Sequence, residues 1–212
     1  MNGNPSPAAH LYFDMTITYY DENAGHFCES TFSLDLGGIR SRFLAHVPAG
    51  GKILDAGCGS ARDALAFKQA GYTVTAFDAC SPMVEIASKN LGQPVLHMRF
   101  EDVHFREEFD GIWACASLLH VAKDSLPHVL ALLQNALKPG GALYVSFKYG
   151  VQDRIKSDGR YFVDLNEPGL NALLVQCPGL TLQEEWVTRD HRPARASEEW
   201  LNAILIKGAD AK

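Results

Sequence analysis

The run Asp55-Ala56-Gly57-Cys58-Gly59-Ser60-Ala61 puts one acid and two glycines directly behind the short apolar stretch Ile53-Leu54. Glycines lack a Cβ, so the backbone can turn sharply there and come close to a ligand. A helix starting near Ser60 would aim its unpaired amides at the same place. Further on, the β-branched and aromatic run Thr73–Phe77 ends at a second acid, Asp78. A carboxylate at a strand end can accept charge-assisted hydrogen bonds from both hydroxyls of a ribose. A plain tight turn and a capping or surface aspartate are the bland readings. Together the two features predict an adenosine-containing ligand.

The type of adenosine ligand follows from charge and spacing. A dinucleotide fingerprint, GxGxxG, needs its third glycine at position 62, and that residue is Arg62. Asp55 would repel a pyrophosphate and attract an ammonium group. S-adenosylmethionine carries an ammonium and a sulfonium and no phosphate, so the electrostatics favour it.

Strands must present these residues. Residues 1–15 read as a disordered tail, Pro-rich and polar at the start. Thr16 to His46 suggests two helices. Lys52–Asp55, Thr73–Phe77, Val95–Phe100, Gly111–Cys115 and Leu143–Phe147 read as five strands. Ser81 and Pro82 read as the N-cap and first position of a helix. Leu126, Val129, Leu130, Leu133 and Leu137 recur at helical spacing. A short helix over 167–176 and two strands near 180–188 and 200–206 finish the chain. Strands alternating with helices imply βαβ units: an α/β, Rossmann-like, mostly parallel sheet with helices on both faces. The last two strands lack a helix between them, so they form an antiparallel pair.

Composition narrows the class. The 212 residues suit one domain, with 25 acids against 19 bases and a net charge of -6. No basic stripe suggests a nucleic-acid partner. Five cysteines without CxxC spacing fit a reducing compartment and no structural zinc. No apolar run approaches membrane-spanning length. The first 39 residues hold no Lys or Arg, unlike a secretory or transit segment, so the expectation is cytoplasmic.

Several runs resemble class I S-adenosylmethionine-dependent methyltransferases, over about residues 19 to 206. Ile53 to Ala61 looks like their first motif and Ala76-Phe77-Asp78 like their ribose-binding acid. Phe109 to Ala114 with Ser117 to His120 resembles the fourth-strand motif. Leu137-Lys138-Pro139-Gly140-Gly141 is similar to the turn before their fifth strand. The nearest flavour is that of small bacterial tellurite-resistance-like enzymes. Ala61 stands where the family often has a third glycine. The resemblance implies seven strands with the last antiparallel, and one methyltransferase domain over 16–212 with a helical lid at about 16–46. It implies that Asp55, Gly57, Cys58 and Gly59 line the methionine end and that Asp78 holds the ribose. Ala79 and Met83 would cover one adenine face and Phe100 the other, with Glu101 beside it. Cys115, Ala116 and Ser117 would pass under the methionine. For Phe100 and Met83 plain core packing stays open. Tyr19-Tyr20 resembles a lid segment, where an aromatic face near a sulfonium gains roughly 0.5–2 kcal/mol; a pair stapling a helix to the sheet is the alternative. Arg62 either reaches the cofactor carboxylate or caps the loop.

Methyl transfer is an in-line displacement whose leaving group needs no acid. Holding the reactants at near-attack distance supplies up to about 7–11 kcal/mol. Hence no catalytic residue is obvious. His120 is the candidate base or substrate contact, with a structural histidine as the alternative. Lys148 and Tyr149 either line the acceptor pocket or lie in a solvated loop. Asp153, Arg154, Arg160 and Asp164 read as a charged loop, either solvated or with a role over the pocket. No Asn/Asp-Pro-Pro-Tyr/Phe follows the fourth strand, Pro does not precede Cys115, and no carboxylate cluster suggests a metal. The expected acceptor is a small molecule, methylated at O, N, S or a metalloid centre. The rival readings are a nicotinamide-dependent oxidoreductase and a non-catalytic cofactor-binding protein.

Overall fold

The central strands are apolar at nearly every position because both of their faces are covered. In β1 (Lys52–Ala56), β4 (Phe109–Ala114) and β5 (Leu137–Tyr149), neighbouring side chains point to opposite sides. Ile53, Trp113 and Tyr144 enter one core, with Phe43 of α2 (Gly37–Leu44), Phe67 of α3 (Arg62–Gln69) and Ala87 of α4 (Ser81–Leu91). Leu54, Ile112 and Leu143 enter the other, against α5 (Leu126–Ala136) and α6 (Glu167–Leu174). This is the burial expected of parallel strands between two helical layers. The computed structural model describes residues 7–192 and 195–208, with only the backbone described over 7–13.

β3 (Leu96–His97), β2 (Thr73–Asp78), β1, β4 and β5 lie side by side in that order, all parallel. After α6 the chain forms β8 (Leu180–Arg189), then β9 (Glu199–Lys207), which runs antiparallel between β5 and β8. These are the seven strands anticipated, with the final one reversed.

A further hairpin corrects the reading of residues 153–164 as a solvated loop. β6 (Asp153–Ile155) pairs antiparallel with β7 (Tyr161–Leu165). β7 pairs parallel with Lys148 and Tyr149 at the tip of β5. Because β9 already holds one edge of β5 at Lys148, β7 takes the other edge, beyond the end of β4. Tyr161, Phe162, Val163 and Leu165 are all buried, and the charges are paired: Arg154 with Asp164 and Arg160 with Asp158, each at 2.6 Å. A run of charges thus conceals a strand.

Other expectations shift at their boundaries. α1 (Pro7–Thr31) occupies most of the stretch read as a disordered tail; residues 1–6 of that stretch lie outside the described residues. Ala24 and Cys28 of α1 pack on Cys80 and Met83, which anchors the helix over the sheet. The third strand shrinks to Leu96–His97, because Phe100–Asp102 wind into a single 3-10 turn. Ser81 is not the N-cap of α4. Cys80 takes that position, and its amide donates instead to Asp78 Oδ1 at 3.0 Å. Among the described residues, no helix is long and apolar enough to cross a membrane.

Candidate active site

The glycine turn after β1 and the acid at the tip of β2 meet. Asp78 Oδ2 accepts the Gly59 amide at 2.8 Å, while the amides of Gly57 and Cys58 donate to the Phe77 carbonyl at 3.0 and 2.9 Å. Parallel pairing of Ala56 with Phe77 brings the two strand tips level. Gly57 sits at φ 74°, and a Cβ there would lie 2.5 Å from Ser117 Cβ. Gly59 has φ 53° and open space where a side chain would stand. The turn therefore leaves a cradle lined by backbone.

Two carboxylates face this cradle, Asp55 buried and Asp78 half-buried. Asp55 Oδ2 accepts the amide of Ala64 in the first turn of α3, at 3.0 Å. Burial and the nearby Asp63 push the Asp55 carboxyl well above the usual carboxylate range. Burial also raises Asp78, against the amides of Cys80, Gly59 and Ala79, which favour its charge. Desolvated acids of this kind gain most from an incoming cation or hydroxyl donor. Burial likewise raises the Cys58 thiol, and that of Cys115 to about 12, so neither is a nucleophile at neutral pH.

Ala79, Met83, Phe100 and Glu101 line the same cavity on the β2–β3 side, and Cys115, Ala116 and Ser117 line its floor. Phe100 is half-buried, edge-on to Phe77 with ring centroids 5.3 Å apart. Met83 is buried against Cys28, sulfur to sulfur at 3.5 Å. Ala116 is left-handed at φ 53°, and its amide donates to Ser146 Oγ at 2.8 Å. Ser117 Oγ donates to the Ala56 carbonyl at 2.7 Å, tying the turn after β4 to the end of β1.

Arg62 is committed to a neighbour that the sequence reading passed over. Its Nε and Nη2 donate to Asp63 at 3.2 and 2.6 Å, and its Nη1 donates to the Thr31 carbonyl at the end of α1. Asp63 also accepts from Arg40 at 2.7 Å and from Trp113 Nε1 at 3.1 Å. Burial works against the Asp63 charge, but the two guanidiniums outweigh it and hold the carboxyl below its ordinary range. Apart from its place beside Arg62, nothing in the sequence marks Asp63.

Tyr20 of α1 and His120 after β4 line the same cavity, and Tyr20 also packs on the cluster that holds Met83 and Cys80. His120 Nδ1 lies 2.7 Å from the Tyr161 carbonyl, which can only accept, so Nδ1 carries the proton. Nε2 is then the acceptor of the Tyr20 hydroxyl at 3.0 Å. Burial lowers the His120 pKa to about 4, which keeps the ring neutral. Lys148 lines the cavity, only 3% exposed and paired with Asp190 at 3.0 Å. Tyr149 points away to Glu167 at 2.9 Å. The sequence reading missed Ser146, Asp190, Arg192, Arg195 and Trp200, which complete the wall. Among the described residues no cluster of three or more metal-ligating side chains occurs.

A family model described as a methyltransferase domain matches residues 53–141, the stretch that carries the cradle and the floor. This match supports a class I S-adenosylmethionine-dependent methyltransferase. It is 26% identical over 198 residues to a cypemycin N-terminal methyltransferase of Streptomyces sp, covering 90% of this chain and 75% of that one. Three further methyltransferases match at 31–35% identity, but over only 31–41% of their own length. Among solved structures, a 1,6-didemethyltoxoflavin-N1-methyltransferase of Burkholderia thailandensis superposes with a TM-score of 0.81 at 22% identity, over 97% of this chain and 93% of that one. A TehB-like methyltransferase of Corynebacterium glutamicum gives 0.68 at 20% identity, over 90% and 99%. At these identities the structural likeness speaks to fold, and the methyltransferase fold is what it shares. The Burkholderia structure holds S-adenosylhomocysteine together with 1,6-didemethyltoxoflavin.

Proposed function

We propose that this methyltransferase transfers a methyl group to a small-molecule acceptor at the end of the cavity bounded by Tyr20, His120 and Lys148. Bound S-adenosylmethionine would supply a methyl group already activated on a sulfonium. The 2.8 Å bond from the Gly59 amide to Asp78 carries the reading, because it orients a half-buried carboxylate beside a backbone cradle before any ligand arrives. Asp78 accepts the ribose hydroxyls, and Asp55 faces the ammonium. Gly57, Cys58 and Gly59 let the ligand approach the backbone. Ala79, Met83, Phe100 and Glu101 border the adenine, and Cys115, Ala116 and Ser117 the methionine. Arg62 acts on the cofactor indirectly, by fastening the end of α1 to the start of α3.

The chain's own part in the reaction is to bind, align and exclude water. Tyr20 and His120 form the contact with the acceptor, and neutral Nε2 is the atom able to take a proton. Residues 16–212 act as one domain, with the helices over 16–46 as its lid. The Burkholderia relative binds 1,6-didemethyltoxoflavin, which supports a small acceptor here. Five free thiols suit the cytoplasm. Calorimetric titration with S-adenosylhomocysteine and with NAD tests the cofactor assignment. Saturable binding of the first alone is expected; binding of NAD alone would transfer the chain to the oxidoreductases.

A further inference from the structure

The charges that line the cavity fall into two groups by their contacts. At the cofactor end Asp55, Asp63, Asp78 and Glu101 line it, against the single cation Arg62. At the acceptor end Lys148, Arg160, Arg192 and Arg195 line it, against the single carboxylate Asp190. Two further acids pair with these cations: Asp158 with Arg160, and Glu198 with Lys148 and Arg195. The cations still outnumber the acids, in a chain whose net charge is -6. Lys156 adds to the excess, with its ammonium 4.8 Å from the ring centroid of Phe162. Burial lowers its pKa, and the guanidiniums of Arg195, Arg154 and Arg160 push the same way, against Glu198.

Not all of this charge is spent internally. Arg192 gives Nε and Nη2 to Asp190, at 2.8 and 2.6 Å, and its Nη1 stays outside that pair. Arg195 is held only loosely, its Nε 4.0 Å from Glu198. Trp200, bonded to the same Asp190 and with the Lys148 ammonium 3.8 Å from its ring centroid, and the edge of the buried Phe162 give the cavity aromatic surface. A guanidinium edge next to aromatic faces matches a planar body that carries a carboxylate.

We propose that the methyl acceptor is a small aromatic carboxylate, its anionic group bound by Arg195 and the outer edge of Arg192 and its ring set against Trp200 and Phe162. This rests on the methyl-transfer reading of the same cavity. A cation enters at one end and an anion at the other, each drawn by the opposite charge of its own wall. The acidic end would repel a carboxylate that entered the wrong way round.

The test uses the full chain saturated with S-adenosylhomocysteine. Ligand-observed NMR titrations compare 4-hydroxybenzoate and indole-3-acetate with their primary amides. Each acid should bind roughly tenfold more tightly than its amide, the scale of one charge-assisted contact. Arg195→Gln should erase most of that preference and leave homocysteine-nucleoside affinity unchanged, which also certifies that the variant is folded. Equal binding of acid and amide, no acid binding in the millimolar range, or a preference that survives the double change Arg192→Gln/Arg195→Gln overturns the proposal. The cofactor-product titration on the unaltered protein comes first. Its failure takes down the methyl-transfer reading itself, a different result from failure of the acids alone.

Discussion

The two ends of the cavity are built by different means. The cofactor end is a backbone construction: short turns at the tips of β1 and β4 carry positive-φ residues, and the amides of Gly59 and Cys80 fix the carboxylate of Asp78. The acceptor end is a side-chain construction. Tyr20, His120, Lys148, Arg160, Asp190 and Trp200 come from α1, the turn after β4, β5, the β6–β7 hairpin and the β8–β9 segment. Backbone geometry restricts which residues fit, whereas side chains converging from distant elements can be exchanged as a set. One end can therefore stay fixed while the other changes substrate.

The largest effect that probes this contrast should come from Asp63, beneath the cofactor end. Asp63→Ala takes the shared carboxylate from two half-buried guanidiniums and a buried indole N–H, and should cost about 3 kcal/mol of stability, read as a lower urea midpoint. A loss no greater than that of an exposed ion pair would mean that the network does not brace the turn.

Asp78→Ala comes next. It removes the carboxylate without touching the core, so S-adenosylhomocysteine affinity should fall by about 1.5–3 kcal/mol. Calorimetry checks it, and unchanged affinity would remove Asp78 from the ribose contact. pH sharpens the same comparison. Asp55 and Asp78 are raised by burial, so they take up protons above the ordinary carboxylate range as pH falls. Cofactor affinity should weaken on acidification, beginning above that range.

His120 probes the acceptor end, with a smaller effect. Its folded pKa is about 4, below the unfolded value near 6.5. The unfolded chain therefore binds the extra proton, and stability from this group is present above 6.5 and lost as pH falls toward 4. An NMR titration of the ring should show it neutral at pH 6, and a protonated ring there would reverse the hydrogen-bond assignment. Tyr149→Phe should have the smallest effect. That side chain lies outside the cavity, so S-adenosylhomocysteine affinity should not change measurably.

Legibility in the sequence follows the same division. Asp55, Gly57, Gly59 and Asp78 could be read because contiguous runs encode them and the strand-end rule says where they go. The alternating core of β1, β4 and β5 was equally plain, since burial on both faces leaves only apolar residues. Asp63, Ser146, Asp190 and Trp200 could not be read. Their partners lie far off in the chain, and a polar residue bound for a buried network looks the same as one bound for solvent. The hairpin was hidden for a related reason: Arg154, Asp158, Arg160 and Asp164 read as solvent-facing charges, yet they neutralise one another and free Phe162 and Val163 to be buried.

One small bond has a mechanical consequence. Thr16 Oγ1 in α1 receives the amide hydrogen of Tyr161 in β7, at 3.0 Å. Next to it Tyr20 is fastened to His120, and the Arg160 guanidinium rests 4.1 Å from the Tyr19 ring centroid. Two of these contacts hold the first helix to the hairpin, and the third holds it to the turn after β4, whose His120 in turn meets the Tyr161 carbonyl. Parting that seam means undoing all three together, so the first helix, the hairpin and the turn after β4 are bound to shift as a group.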